Sequence, residues 1–329
     1  MKIGKVSESV LKRSILKEIK NTREEIIIGA GVGEDCAVLA LKTEELLVVS
    51  TDPVTAAKQD IGRLAVNHAV NDLAASGAKP VGILISALLP ADITEEDIKA
   101  MMRQVNETCE TLGIAVIGGH TEVTGAVNKP ILTVTGIGKT VKDGVCLTRA
   151  AKPGQDLVIT KWVGLEGTGI ISKEKEAELV KRYPISFIRE AQQFDKYLSV
   201  LKDAEIAVLH GVSAMHDVTQ GGIFGAVWEM AASSKVGVEI DLKKIPIKQE
   251  TVEICNFYEI NPYELISSGS LLIATDNGHD LVRALEQEEI PAAVIGKTTA
   301  GNDRIVTNDG EVRYLEPPKT DEIYKVMTF

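Results

Sequence analysis

The sequence predicts a two-domain protein of the mixed class, α/β or α+β. Its 329 residues exceed what one hydrophobic core usually organises, and a guide of about 150 residues per domain suggests two units. Short β-like runs alternate with amphipathic helical stretches along the whole chain, as in α/β and α+β folds. The segment Arg149–Gly154 contains Pro and Gly and is the predicted junction. The predicted domains are therefore residues 1–150 and 151–329.

The first half combines strands with two helices. One helix is predicted over Asp60–Ser76, ended by Gly77. The other begins at Thr94 and ends at Gly113, because its apolar residues recur every three or four positions. The predicted strands are Ile26–Ile28, Cys36–Leu41, Leu46–Ser50, Ile114–Ile117 and Ile131–Ile137.

The second half repeats this mixture of elements. Strands are predicted at Leu157–Thr160, Val238–Leu242, Leu271–Thr275 and, last, Ala293–Ile295, and a further strand leads into Met215. Helical stretches are predicted within Glu174–Leu201 and over Gly222–Ser233 and Asp280–Glu288.

Composition narrows the classes of function. With 44% apolar and 25% charged residues, the chain can form packed cores. A net charge of −11 opposes binding to nucleic acid, whereas a nucleotide could bind if divalent cations separated its phosphates from acidic side chains. The four cysteines are far apart and form no CxxC pair, which fits a reducing cytosol. We find no export or membrane signal, so we expect a cytoplasmic protein.

The run Gly29–Gly33 follows a predicted strand and invites a dinucleotide-binding interpretation, since Asp52 lies about twenty residues further on. That interpretation, which would make the protein an oxidoreductase, needs a helix directly after the glycines. The following residues, Cys36–Leu41, are β-like instead. The sequence also contains no GxxxxGK[ST] phosphate-binding loop. Neither common glycine-rich nucleotide motif is therefore favoured.

Acidic residues at the ends of predicted strands, or on otherwise apolar helices, are more informative. They are Asp35, Asp52, Asp72, Glu122 and Asp217. Asp52 closes a predicted strand within Ser-Thr-Asp-Pro, where we expect Pro53 to end strand pairing and the carboxylate to project toward a cleft. The alternative for Asp52 is an ordinary turn aspartate.

A polar stripe marks the first predicted helix. Its members Asn67, His68, Asn71 and Asp72 are related by i and i+4 spacing. A solvated helix face usually carries long Lys and Glu side chains, whereas short amides, an imidazole and a carboxylate suit a ligand or metal. The alternative is a buried polar seam between helices, and His68 alone fits a structural histidine.

Two further segments combine glycines with polar residues. In Gly118–Val123 the glycines would permit close backbone approach where His120, Thr121 and Glu122 follow, the alternative being a tight turn. In Met215–Gly222, Asp217 and Thr219 precede a predicted helix, whose free N–H groups attract phosphate. Helix N-capping by Asp217 or Thr219 is the alternative there.

Together these segments resemble one family in order and spacing. The matching runs are GVGEDCAVLA, STDPV, DIGRLAVNHAVNDLAASGAKP, VIGGHTEV, TVTGIG, TKWVGLEGT, HDVTQGGIFGAVWEM and LISSGSLLIA. They resemble the aminoimidazole ribonucleotide synthetase (PurM-like) superfamily, which includes selenophosphate synthetase and thiamine-monophosphate kinase. Within it, the chain looks most like the hydrogenase maturation protein HypE and AIR synthase-related proteins. The resemblance implies an N-terminal α/β domain whose sheet pairs across a homodimer, and a C-terminal α/β domain.

The resemblance also implies a chemistry, namely transfer of the γ-phosphate of ATP, with Mg²⁺, to a small amide, carbonyl or phosphate-bearing acceptor. The residues that match the family's magnesium and polyphosphate aspartates are Asp35, Asp52, Asp72 and Asp217. Those expected to contact the nucleotide are Asn67, Asn71, Gly118, Gly119, Thr121 and Thr219. Glu122 and His120 are the candidates for proton handling.

Two departures from the family pattern keep alternatives open. The family usually has two Asp where this chain has Glu34-Asp35, and HypE carries its carbamoyl group on a terminal Cys, whereas no Cys follows Cys255 here. We therefore expect an ATP-dependent enzyme that is similar to HypE but lacks that terminal Cys. The alternatives are a small-molecule kinase of the thiamine-monophosphate kinase type, or an ATP-binding protein that docks to a maturation partner.

Overall fold

The computed structural model describes residues 4–5, 10–20, 23–30, 38–55 and 59–327. These residues form two compact units. Unit 1 comprises residues 1–73 and 78–145, and unit 2 comprises residues 74–77 and 146–329, each in its described part. The predicted junction at 149–154 thus lies among the first residues of unit 2. Within the described ranges, no helix has both the length and the apolar character that crossing a bilayer requires.

Unit 1 contains a mixed sheet covered by two long helices. Its strands are β1 (Gly4–Lys5), β2 (Ile26–Ile28), β3 (Val38–Leu39), β4 (Glu45–Val54), β5 (Lys79–Leu89), β6 (Ala115–Val123) and β7 (Ile131–Val141), and its helices are α1 (Ile61–Ala75) and α2 (Glu95–Leu112). The main sheet has the order β1-β6-β5-β7-β4, in which β5 and β6 are parallel and the other neighbours antiparallel.

Helix α2 confirms the prediction made from its sequence pattern. The Thr94 hydroxyl accepts a hydrogen bond from the Asp97 N–H (3.1 Å), and the Asp97 carboxylate accepts one from the Thr94 N–H (3.0 Å). This reciprocal capping box satisfies two N–H groups at the start of the helix. Gly113 ends the helix in the left-handed conformation, with φ 66°. Local capping chemistry therefore sets both ends of the helix.

Two strands of unit 1 differ from expectation. The apolar run 81–89, to which no element was assigned, forms most of the central strand β5. Strand β4 does not end at Ser50, since Pro53 still pairs with Thr133 and Val54 with Leu132. The expectation that Pro53 ends pairing is wrong because β4 is an edge strand, and an edge can place a residue without an N–H on its unpaired side.

The two faces of the unit 1 sheet are unequal. Helix α1 covers one face so closely that a Cβ on Gly136 would lie 2.9 Å from the Ala69 carbonyl oxygen. On the other face, which we call the open face, Leu47 is 55% and Val49 is 59% exposed. Neighbouring strands add partly buried Ile137 to this face. Unit 1 thus presents aliphatic side chains that its own helices leave uncovered.

Unit 2 contains a second, larger sheet. Its strands are β8 (Asp156–Thr160), β9 (Ala214–Asp217), β10 (Gly237–Asp241), β11 (Leu271–Thr275), β12 (Ala292–Thr299), β13 (Arg304–Asn308) and β14 (Glu311–Tyr314), in the order β14-β13-β10-β12-β8-β11-β9. Its helices are α3 (Leu165–Glu174), α4 (Glu176–Leu179), α5 (Ile185–Gln192), α6 (Leu201–Leu209), α7 (Gly222–Ser234), α8 (Gln249–Tyr258), α9 (Gly278–Gln287) and α10 (Ile323–Val326).

The unit 2 sheet is covered on both faces. Leu157 and Ile159 on β8 pack into one apolar cluster with Val227 of α7. Val158, which lies between them on the strand, packs into a second cluster with Leu285 of α9. Because successive strand residues point to opposite faces, this alternation shows an apolar layer on each side of the sheet.

A buried ion pair follows β8. The Lys161 ammonium lies 2.9 Å from the Asp203 carboxylate and donates a hydrogen bond to the Ser199 carbonyl at 2.6 Å. Lys161 is 6% and Asp203 is 2% exposed. Burial lowers the pKa of Lys161, although the charge of Asp203 opposes that effect. The pair ties the residues after β8 to the start of α6.

The mixed α/β class is confirmed, but unit 2 has more elements than predicted. Helical stretches within 174–201 are confirmed as α4 and α5, whereas helices α3, α6, α8 and α10 were not predicted. The strand predicted as the last one, β12, is followed by the hairpin of β13 and β14. The missed elements are short, with four to ten residues each, and short elements give only a weak periodicity.

Candidate functional site

The edge strand β4 presents Ser50 and Asp52 to the helix-covered face. Ser50 pairs with Gly136, which contacts α1, and Asp52 pairs with buried Val134. Since side chains alternate along a strand, Ser50 and Asp52 share this face, whereas Leu47 lies on the open face. Asp52 is partly buried. It lies within the paired strand, so the ordinary-turn alternative for Asp52 is wrong.

Helix α1 brings a second carboxylate to the same strand. The Ser50 hydroxyl donates a short hydrogen bond to the Asp72 carboxylate. The side chain of Asp72 is thereby held over β4, on the face that also carries Asp52. Two carboxylates from different elements, one oriented by a hydroxyl, form an oxygen-rich edge of the kind that hard cations prefer. The structure thus places two of the four predicted metal-binding residues on the same face of the sheet.

The polar stripe of α1 separates into two rows. Asn67 and Asn71 are buried, at 4% and 0% exposure, and the Asn67 amide donates a hydrogen bond to the Arg63 carbonyl at 2.9 Å. His68 and Asp72 are only partly buried. The amides are buried, as the seam alternative expects, although the hydrogen bond of Asn67 to Arg63 stays within α1, and ligand binding by the stripe stays a prediction.

The glycines of β6 lie inside a strand. The strand was expected to stop at Ile117 but continues to Val123, so the tight-turn alternative is wrong. Gly119 has φ 148°, and a Cβ on it would lie 2.1 Å from the Ile85 carbonyl oxygen. Close backbone approach was correctly expected, but its partner is the neighbouring strand β5. Gly118 and Thr121 lie on opposite faces of the same strand.

His120 and Glu122 form a pair on the open face. The His120 Nε2 lies 3.5 Å from a Glu122 carboxylate oxygen, and the side chains are 50% and 40% exposed. Both belong to the sheet face opposite Asp52, and β6 is three strands away from β4. At about 4.8 Å per strand the separation is roughly 14 Å. Within unit 1, the structure does not bring the proposed proton-handling pair to the carboxylates.

In unit 2, Asp217 ends strand β9 at one edge of the sheet. It pairs with Leu271 and is 6% exposed. Helix α7 begins after the left-handed Gly221 and has no side-chain cap, so the alternative of N-capping by Asp217 or Thr219 is wrong. The Thr219 carbonyl instead accepts a hydrogen bond from the Ser267 N–H at 3.3 Å. The loop between β9 and α7 is held by its backbone.

A histidine that the sequence analysis left without a role lies beside Asp217. His216 Nε2 is 2.8 Å from a Glu229 carboxylate oxygen on α7. Burial acts to lower the pKa of His216, but the hydrogen bond with Glu229 and the charge of Asp217 outweigh it and raise that pKa. The i, i+13 spacing of the pair follows no helical or strand period, so only the fold reveals it.

The remaining predicted metal-binding residue, Asp35, lies outside the described residues, as do Gly31–Gly33 of the glycine run. The residues that follow them, Val38–Leu39, form a strand and not the helix that a dinucleotide fold requires. Over the part of the chain that the structure describes, no group of three or more His, Cys, Asp or Glu is arranged to hold a metal ion.

Comparisons with known proteins agree with this fold. The N-terminal domain model of the AIR synthase related proteins matches residues 33–140, and the C-terminal domain model matches residues 152–308. A Methanocaldococcus jannaschii protein named for hydrogenase expression and formation is 28% identical over 86% of this chain and 83% of its own length. The carbamoyl dehydratase HypE of Cupriavidus necator is 27% identical over 76% of this chain and 74% of its own. The crystal structure of HypE in complex with ATP superposes with a TM-score of 0.80 at 20% identity, covering 97% of this chain and 96% of that one.

Proposed function

The chain belongs to the AIR synthase related protein family, and on that premise we propose that it is an ATP-dependent phosphoryl-transfer enzyme. Its acceptor is a small molecule that bears an amide, carbonyl or phosphate group. The observation that carries the proposal is the β4 edge, where Asp52 and the Ser50-oriented Asp72 share one sheet face. The similarity to a protein solved with ATP supports the choice of nucleotide.

Magnesium fits these residues. Mg²⁺ in nucleotide sites is commonly held by one or two carboxylates together with phosphate oxygens and waters, so a dedicated cluster of three protein ligands is not required. Asp52 and Asp72 would hold the ion in unit 1, whereas metal binding by Asp35 and by Asp217 stays a prediction. When bound, the ion offsets the negative charge of the phosphates and of the transferred group. A chain with a net charge of −11 needs such a cation.

The side chains of this chain have separate tasks in the proposal. Ser50 fixes the orientation of the Asp72 carboxylate through its hydroxyl. Asn67 and Asn71 are buried on α1, and their contact with the nucleotide stays a prediction. Nucleotide contacts by Gly118, Gly119, Thr121 and Thr219 stay predictions, as does proton handling by His120 and Glu122.

The active form is proposed to be a cytoplasmic homodimer that pairs through the open face of unit 1. The exposed Leu47 and Val49 are the reason, because burying aliphatic groups stabilises association by about 25 cal/mol per Å². A maturation partner protein is the alternative occupant, since relatives of this chain include proteins of hydrogenase formation.

The proposal is tested by calorimetry with ATP and Mg²⁺. We expect Asp52→Asn, Asp72→Asn and Asp217→Asn each to weaken ATP binding well beyond tenfold, which corresponds to about 1.4 kcal/mol. Asp143→Asn is the matched control, since Asp143 is an exposed unit 1 aspartate on a short helical turn beyond Val141, which pairs with Glu45 at the opposite end of β4 from Asp52. Near wild-type affinity in a folded Asp72→Asn protein would show that the β4 edge does not bind the nucleotide.

A second experiment separates the enzyme from its alternatives. ADP release is measured against a panel of small amides, nucleotides and thiamine phosphate. An enzyme releases ADP faster with its acceptor, and acceleration by thiamine phosphate alone would favour the kinase alternative. ATP binding without acceleration by any acceptor would favour a protein that binds ATP and acts by docking to a partner.

A further inference from the structure

A C-terminal segment of unit 2, residues 315–327, is packed onto the domain as a strap. Leu315 begins it in the apolar core and is 8% exposed. Helix α10 ends it with Ile323 and Val326, which are 1% and 7% exposed. Between these anchors lie two adjacent acidic residues, Asp321 and Glu322, which are only 3% and 4% exposed. Two neighbouring carboxyl groups are seldom buried without a specific task.

Asp321 is held by three backbone N–H groups. One carboxylate oxygen accepts from Gly221 at 2.7 Å, and the other accepts from Ile266 at 3.2 Å and from Ile323 at 2.9 Å. Hydrogen bonds to a carboxylate are stronger than those between neutral groups. A single side chain therefore joins the strap, the start of α7 and the segment before β11.

Those two partners hold the loop that carries Asp217 and Thr219. Gly221 is the last residue before α7, and Ile266 precedes Ser267, whose N–H donates to the Thr219 carbonyl. The loop has little freedom to adjust by itself. A Cβ on Gly222 would lie 2.5 Å from the Tyr263 carbonyl oxygen, at a left-handed φ of 59°.

We propose that Asp321 is a positioning residue for nucleotide binding, which sets the backbone of the loop from Asp217 to Gly222 through Gly221 and Ile266. The inference rests on the proposed function only in assigning Asp217 and Thr219 to the nucleotide. Asp321 acts through the loop and does not contact the ligand. Its effect is on KM for ATP and not on the rate of the chemical step.

Asp321→Asn should remove one of the three hydrogen bonds and keep the other two. An asparagine keeps one acceptor oxygen and gains an N–H₂ group. We expect its oxygen to face the Ile266 and Ile323 N–H groups, because two donors lie on that side and only one on the other. The N–H₂ group then faces the Gly221 N–H, where two donors meet and the bond is lost. Glu322→Gln is the matched control, because it removes one charge from the adjacent buried position. Glu322 binds the Asn261 N–H at 3.1 Å instead of the loop.

The first readout is amide hydrogen exchange, which requires no ATP. We expect Asp321→Asn to accelerate exchange at Gly221 by tenfold or more while Glu322→Gln does not. In the wild-type protein, Gly221, Ile266 and Ile323 should exchange with similar protection, because one carboxylate holds all three. Unchanged protection at Gly221 in the variant overturns the proposal, and so does independent exchange of the three amides in the wild type.

The second readout is kinetic. We expect Asp321→Asn to raise KM for ATP about tenfold with kcat within threefold, whereas Glu322→Gln leaves both near wild type. Equal effects of the two variants mean that the strap acts only on stability, and the proposal fails. If Asp217→Asn binds ATP normally, the proposed role of Asp217 in nucleotide binding is overturned. If Asp217→Asn loses ATP and Asp321→Asn does not, only the positioning role is overturned.

Discussion

The two sheets of this protein differ in how their faces are covered. In unit 2, alternate residues of β8 pack into separate apolar clusters, so both faces of the sheet are covered from within the unit. In unit 1, α1 and α2 cover one face, and Leu47 and Val49 on the other remain more than half exposed. The difference teaches that a sheet with helices on one face only leaves aliphatic side chains, such as Leu47 and Val49, available for a further contact.

The largest expected effect concerns the interior of unit 2. Asp203→Ala leaves the Lys161 ammonium buried without its carboxylate, which costs about 3–5 kcal/mol of unfolding free energy. Urea denaturation followed by tryptophan fluorescence measures it, because Trp162 and Trp228 are the two tryptophans of the chain and both lie in unit 2.

The control for that experiment is an exposed pair in the same unit. Lys202 lies 2.7 Å from Glu288, and their side chains are 58% and 54% exposed. Lys202→Ala should cost far less than Asp203→Ala, since water screens such pairs. A similar cost for the two variants would show that the buried pair does not stabilise unit 2.

The second effect concerns the open face of unit 1. Leu47→Glu combined with Val49→Glu should weaken the proposed homodimer at least a hundredfold, about 2.7 kcal/mol, because both changes bury charge at the contact. Sedimentation equilibrium measures the dissociation constant. The matched control is Val312→Glu with Tyr314→Glu, which are 60% and 68% exposed on the edge strand β14 of unit 2.

The control distinguishes the two edge strands. It should leave the dimer intact, since the proposed contact lies on the open face of unit 1. A wild-type protein that sediments as a stable monomer near 35 kDa at micromolar concentration would contradict dimerisation itself. Dissociation caused by the β14 variants and not by those on β4 would place the contact on unit 2.

A smaller effect is expected from the acid response of unit 1. Burial acts to raise the pKa of Glu25, but hydrogen bonds from Lys139, which also lies 3.0 Å from Glu45, and from Arg23 lower that pKa to about 2. A lowered carboxyl pKa stabilises the fold above the ordinary Glu range, and this stabilisation is lost as pH falls toward 2.

The acid response is measured with Glu25→Gln. The variant should lose about 1 kcal/mol of unfolding free energy at pH 7. Between pH 4.5 and 2 its unfolding free energy should fall less steeply than that of the wild type, as followed by circular dichroism. Glu311→Gln, on the exposed strand β14, serves as control and should give the wild-type curve. A steep wild-type-like curve for Glu25→Gln would assign the acid response to other groups.

The smallest effect on activity is expected from the cysteines. Cys109, Cys146 and Cys255 are buried, and burial raises their pKa to about 12, 11 and 12. Thiols of this kind act as small apolar groups and not as nucleophiles. Replacing them and Cys36 with Ala or Ser should leave ATP binding and ADP release within about twofold, with losses of stability near 1 kcal/mol per site. Turnover abolished by one replacement, with fold and ATP affinity unchanged, would show a cysteine-borne intermediate.

The sequence predicted the elements whose boundaries are set locally. Helix α2 has its capping box and its terminal glycine within the same stretch of chain, and β11 was predicted with the bounds it has in the structure. Strand β5 was missed because a central strand is a continuous apolar run without a two-residue alternation. Helix α3 was missed because its glycines lower helix propensity, while packing in unit 2 compensates for them.

The site divides in the same way. The carboxylates Asp52 and Asp72 were selected from the sequence, but the hydroxyl of Ser50 that orients Asp72 depends on the packing of α1 against β4. His120 and Glu122 were expected to emerge beside the glycines at the end of a strand, because β6 was predicted to stop at Ile117. Once a strand continues, its alternation assigns neighbouring residues to opposite faces. Asp321 lies one hundred positions from Gly221, and no local pattern joins them.

The hydrogen bonds of Asp321 also bear on when unit 2 can finish folding during synthesis. Domains generally form as units from the N-terminus onward. The sheet of unit 1 is complete once β7 has emerged from the ribosome. The N–H groups of Gly221 and Ile266 lack their acceptor until Asp321 has been synthesised. For that interval the nascent protein carries a finished sheet with an exposed aliphatic face beside an unfinished domain. Chaperone binding to stalled chains should therefore persist until the codons for the strap have been translated.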